Sequence, residues 1–195
     1  MAIALNGALA GGRRTPAPGI APPLPQRPRP TDEATSVTEF DTRQLRNTLG
    51  SFATGVTVIT ALDADGTPRA MTANSFSSVS LDPPLVLWSI GKDALAFDTF
   101  TRCKHFAIHV LKQDQQALSS RFATREARTF DDLQMEHGVG GVPLFGDYLS
   151  RFQCELHECL PGGDHIIVIG KVVDIEHKEG EPLLFFSGKY RQLAE

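Results

Sequence analysis

Cysteine is scarce in this chain: three in 195 residues, at Cys103, Cys154 and Cys159, with no CxxC pair among them. Three thiols cannot all pair within one chain. A disulfide scaffold or a zinc ribbon is therefore a poor account of the fold, and cytoplasmic thiols are the simpler one. Also missing is any apolar run near the ~20 residues that span a bilayer, so the expectation is a soluble, cytoplasmic protein with no membrane partner. Neither a GxGxxG nor a GxxxxGK[ST] pattern occurs, which removes the Rossmann dinucleotide site and the P-loop. HExxH and the GxSxG nucleophile elbow are absent too. His105 and His109 share one face of a predicted strand without an acid or cysteine at ligand spacing. His157, Glu158 and Cys159 alternate faces, so no metal is expected.

Acid is missing from the first 30 residues, which hold Arg13, Arg14, Arg27 and Arg29; their +4 within a whole-chain −4 leaves the remainder at −8. An acidic body argues against nucleic acid as a partner. Seven of the thirteen prolines fall between positions 16 and 30, and apolar periodicity is absent there. Residues 1–35 are accordingly expected to be a disordered Pro/Arg-containing arm, and residues 36–195 a single domain. Its composition, 41% hydrophobic and 22% charged over the whole chain, is ordinary for a globular protein.

Within that domain the pattern predicts a helix over residues 42–52, capped by Asp41 with Gln44 at the capping-box position and Leu45, Leu49 and Phe52 on its apolar face. Residues 56–62 and 68–73 read as strands around an Asp63-Ala64-Asp65-Gly66 turn. Further strands are expected over 85–90, 106–111, the alternating 152–156, 166–169 and 183–186. Short helices are expected over 93–100 and from a cap at Asp114 through Phe122. Residues 123–146 read as mostly loop, with Gly138-Val139-Gly140-Gly141 a flexible piece of it. Short strands joined by turns with few short helices point to a mainly β protein, a β-barrel or a related α+β form rather than a doubly wound sheet.

What is abundant is hydroxyl. Residues 71–84 read Met-Thr-Ala-Asn-Ser-Phe-Ser-Ser-Val-Ser-Leu-Asp-Pro-Pro, with Thr72, Ser75, Ser77, Ser78 and Ser80 as donors and Asn74 as an amide. Such a set suits a flat, polyoxygenated, phosphorylated ligand. The competing reading is a Ser/Thr-rich loop that caps its own backbone.

Taken with the run Phe52-Ala53-Thr54-Gly55-Val56-Thr57-Val58-Ile59-Thr60 before it, Leu85-Val86-Leu87 after it, Gly163-Asp164-His165 and Gly188-Lys189-Tyr190, the segment resembles the flavin reductase-like family over residues 42–193. The resemblance implies an FMN-binding split barrel, Greek-key-like, over residues 36–195. It implies hydride transfer from NADH or NADPH to FMN or FAD, with the reduced flavin passed to a partner monooxygenase. It implies a homodimer in which a second chain covers the flavin site. Thr72, Ala73, Asn74 and Ser75 with Ser77, Ser78 and Val79 become the flavin cradle. Ser89 and Lys92 fall beside the phosphate, Asp164 and the catalytic His165 where the nicotinamide meets the flavin, and Tyr190 near the cofactor. Ala94 stands where many relatives carry a hydroxyl, and Lys189 replaces an arginine. The alternatives are a flavin-binding module without turnover, a split-barrel oxidase with its own substrate, or a plain dimerising scaffold.

Overall fold

A computed structural model describes residues 41–124 and 130–193. The arm expected to be disordered, residues 1–35, lies outside the described residues. In chain order the elements are α1 (Thr42–Leu49), β1 (Thr54–Gly55), β2 (Thr57–Leu62), β3 (Pro68–Ala73), β4 (Ser77–Leu81), β5 (Pro84–Gly91), α2 (Phe97–Arg102), β6 (His105–Val110), α3 (Gln116–Ala123), β7 (Met135–His137), β8 (Pro143–Phe145), β9 (Ser150–Gly162), β10 (His165–His177), β11 (Leu184–Phe186) and β12 (Lys189–Arg191).

Seven strands form one sheet in the order β3-β2-β6-β9-β10-β5-β4. Laid flat, its edge strands would stand six spacings apart, roughly 29 Å at about 4.8 Å each. Yet β3 and β4 are joined only by Asn74-Ser75-Phe76, a link whose reach is roughly 13 Å. The sheet must therefore curl until its edges meet, and it does so without a β3–β4 ladder. This is the split barrel, and the hydroxyl-rich segment is its seam.

The barrel interior is filled by alternate residues of the strands. On β5, Val86, Trp88 and Ile90 point inward, with Ile59, Phe106, Ile108 and Val168 from other strands. Trp88 stands edge-on to Phe100 at 5.2 Å and to Phe106 at 6.1 Å. Gly170 on β10 makes room for this, because a Cβ there would lie 2.5 Å from Phe106 Cζ. A second core under α3 collects Val56, Val58, Leu111, Phe122, Phe145 and Leu183. Buried His109 braces this second core: its Nδ1–H donates to the Val58 carbonyl at 3.2 Å, and Nε2 accepts from the Phe145 amide at 3.2 Å. Burial pushes its pKa down to about 3, so the ring is neutral.

Several expected elements shift. The first helix stops at Leu49, Asp41 caps the Arg43 amide at 3.1 Å, and α1 buries no residue. The expected 93–100 helix begins only at Phe97, since Ala94 N–H bonds Gly91 and Phe97 N–H bonds Ala94 in successive turns. Asp114 does not cap α3, which starts after Gln115; the Gln115 side chain instead accepts from Lys112 N–H at 2.8 Å. The stretch expected as loop holds the β7–β8 hairpin. Its glycines form a packed 3-10 turn: a Cβ on Gly140 would sit 2.3 Å from His105 Nδ1, and Val139 N–H donates to Gln153 Oε1 at 2.7 Å.

Candidate functional site

The seam residues divide by what their polar atoms do. Thr72, at the end of β3, donates its hydroxyl to the Ser119 carbonyl of α3 at 2.6 Å. The Ser119 hydroxyl lies 2.8 Å from that of Tyr190 on β12, so β3, α3 and β12 are tied around one recess of about 170 Å³. Asn74 and Phe185 also line it, and on their other side opens a larger cavity of about 630 Å³ between α1, β1 and the β11–β12 turn. Thr54 lines that larger cavity and keeps a buried hydroxyl oxygen without a hydrogen-bond partner. Asn74 itself is exposed, at the junction of the two spaces. Ala73 is buried against the barrel core, and its carbonyl accepts from Thr57 Oγ1 at 2.6 Å.

Ser75 stitches the seam. Ser89 N–H donates to its hydroxyl oxygen at 2.9 Å, fixing the β3–β4 link onto β5. Ser77, Ser78 and Val79 lie exposed on β4, the sheet's edge strand, where unpaired backbone groups meet solvent.

Beyond Ser89, β5 runs to the tip of the β9–β10 hairpin. Lys92 donates its amide to the Asp164 carbonyl at 3.0 Å and its ammonium to the Gly163 carbonyl at 2.6 Å. His165 Nδ1 stands 2.7 Å from Asp164 Oδ1, and that hydrogen bond, first among the causes, lowers the Asp164 pKa below the ordinary carboxylate value. The pair is solvent-exposed, so it orients the ring more than it stabilises the fold. With Nδ1 held by the carboxylate, Nε2 faces Gly91, where a Cβ would come within 3.7 Å of it. The implied phosphate residue and the implied nicotinamide residue thus belong to one cluster, joined to the Asn74 groove through Ser89 and Ser75.

The model for the flavin reductase like domain matches residues 49–194. The chain belongs to the flavin reductase-like family. It is 49% identical over 154 residues to the FMN reductase (NADH) SmoA of Agrobacterium fabrum, covering 79% of this chain and 87% of that protein. It is 36% identical to the reductase subunit HsaB of a flavin-dependent monooxygenase from Rhodococcus jostii, with 82% of each chain covered. Among solved structures, the NADH:FAD oxidoreductase SgcE6 of Streptomyces globisporus, in complex with NAD and FAD fragments, superposes with a TM-score of 0.75 at 40% identity, covering 79% of this chain and 93% of that one.

The seam of this flavin reductase-like chain also enlists residues that the sequence did not single out. Thr54 and Phe185 pair directly in the β1–β11 ladder, and Ser119 lies inside a helix. Thr54 stood in the run that carried the resemblance and was open to such a reading; Ser119 had no signal, because its role arises only when α3 packs on β3. Among the described residues no helix is long and apolar enough to cross a membrane, and no group of three or more His, Cys, Asp or Glu could hold a metal ion.

Proposed function

We propose that this chain is an NAD(P)H:flavin oxidoreductase whose flavin, FMN or FAD, lies along the barrel seam and leaves reduced for a partner monooxygenase. The observation that carries the reading is the Asn74 groove: an exposed amide between two recesses, beside the orphan hydroxyl of Thr54 and the hydroxyls of Thr72 and Tyr190, which are tied to the Ser119 carbonyl and the Ser119 hydroxyl respectively. The residues fit a flavin, which needs donors and acceptors at one rim and an apolar wall such as Phe185 against its face. When bound, the flavin supplies the hydride chemistry, accepting at N5 what the nicotinamide gives up at C4.

The chain's own residues bind and align. Asn74 and the backbone beside it address the polar rim of the ring, and the edge strand carrying Ser77, Ser78 and Val79 lies along the ligand. Ser75, committed to Ser89, holds that edge in place. Lys92 brings positive charge to a phosphate. His165, its tautomer fixed by Asp164, offers Nε2 to the nicotinamide carboxamide and holds the two rings in a near-attack geometry. The site is shallow and solvent-facing, which favours release of reduced flavin over retention.

A homodimer belongs to the same reading. Leu49 and Phe52, 65% and 78% exposed, stand beside the larger cavity, and a second copy packed on them would bury apolar surface and wall one side of the site. The test is oxidation of NADH and NADPH with free FMN and FAD. Donor consumption that requires added flavin supports the reading; none with either flavin contradicts it.

A further inference from the structure

The larger cavity, about 630 Å³, is within the size of small-molecule sites; the flavin reading takes up its Thr54, Asn74 and Phe185 edge and leaves its α1 side unassigned. Its wall on the α1 side carries Arg46 and Asn47. Arg69, Arg102, Arg121 and Arg151 each pair with a carboxylate at 2.6–3.2 Å. Arg43, Arg46 and Arg191 have no acidic partner among the described residues, and of these only Arg46, in the last turn of α1, lines this cavity. The backbone there cannot attract an anion, since the last carbonyls of a helix form the negative end of its dipole. Any attraction must come from the guanidinium, whose planar fork matches phosphate oxygens. Its position is set: the Ser187 amide of the β11–β12 turn donates to the Gly50 carbonyl at 2.8 Å, pinning the end of α1 to the cavity wall.

Resting on the proposed use of the Asn74 groove, we propose that Arg46 determines specificity for the reductant by binding the phosphate groups of the nicotinamide dinucleotide. A hydride donor must lay its nicotinamide on the flavin ring, and its remaining bulk, which carries two linked phosphates, then has the α1 cavity open to it.

The test compares wild type with Arg46→Gln and Arg46→Lys. Steady-state rates are measured with NADH and with 1-benzyl-1,4-dihydronicotinamide, a donor without phosphate. NAD+ and flavin affinities are measured by titration without turnover. The expected result for Arg46→Gln is a Michaelis constant for NADH raised about tenfold or more and NAD+ binding weakened alike. kcat, the rate with the benzyl donor and the flavin affinity should stay within twofold. Arg46→Lys, which keeps charge but not the fork, should fall between. Unchanged NADH and NAD+ parameters in a normally active enzyme would overturn the proposal alone, as would equal slowing with the benzyl donor, a loss confined to flavin affinity, or dissociation of a dimer as the cause. A wild type that binds NAD+ through Arg46 yet reduces no flavin would sink the reductase reading and leave this site standing.

Discussion

The two ends of the seam handle polar groups in opposite ways. At the β9–β10 tip, Lys92, Gly163, Asp164 and His165 bond to one another, and only His165 Nε2 and the outward faces are left over. At the Asn74 end, the amide stands exposed, the Thr54 hydroxyl is unpartnered and Arg46 lines a cavity that holds no acid among the described residues. Groups already satisfied fix geometry; groups left unsatisfied wait for a ligand, because an unmade hydrogen bond at a buried atom costs about 1–3 kcal/mol. The open end should therefore govern affinity, and the closed end should govern alignment.

The largest expected effect breaks the open end. Asn74→Leu should weaken flavin binding by about 1–3 kcal/mol, checked by fluorescence titration, with the far-ultraviolet circular dichroism unchanged. Next, His165→Ala should slow flavin reduction about tenfold, on the order of 1.4 kcal/mol of transition-state stabilisation, with little change in flavin affinity. Stopped-flow rates within twofold of wild type for both donors would reduce the Asp164–His165 pair to a solvated turn. Lys92→Met should cost less, about 0.2–1 kcal/mol in flavin mononucleotide affinity, because its ammonium is exposed and already bonded to Gly163. Raised salt should shrink that difference, and a salt-independent effect would point to the lost Gly163 bond instead.

Acid should separate stability from the seam. His109 is held neutral with a pKa of about 3 against an ordinary 6.5, so on acidification the unfolded chain takes up a proton the folded one refuses. Stability from this group is full above pH 6.5 and is lost as pH falls toward 3, about 2 kcal/mol by pH 5. Denaturant midpoints of wild type and His109→Gln should converge as pH drops from 7.5 to 5. Asp164, whose pKa is lowered, acts only below its ordinary value and on an exposed surface, so it should leave that window untouched.

How much of this the residues announced depended on how local each feature was. The β2–β3 hairpin was legible because Asp63, Asp65 and Gly66 build their own turn, with both carboxylates capping amides at 2.9 Å and Gly66 at φ 82°. The length of β10 was not legible: only residues 166–169 read as apolar strand. Bulges at Ile169/Gly170 and Val172/Asp174 break the alternation, and the far half of the strand faces solvent. Leu45 and Leu49 do fall one turn apart on α1, but Phe52 lies beyond its end, and the described chain leaves all three exposed. At the site, the hydroxyl-rich segment stood out by composition. Its partners Ser119, Phe185 and Arg46 did not, because tertiary packing alone brings α3, β11 and α1 to the seam.

The most direct test of the central claim is a paired measurement on wild type and Asn74→Leu: flavin-dependent NADH oxidation and flavin titration on the same preparations. The account predicts that wild type consumes NADH only when FMN or FAD is added. It also predicts that the variant, still folded, binds flavin about 5- to 150-fold more weakly, with activity recovering as flavin is raised. Wild type that consumes no NADH or NADPH with either flavin, or a variant whose flavin titration overlays wild type, would contradict it.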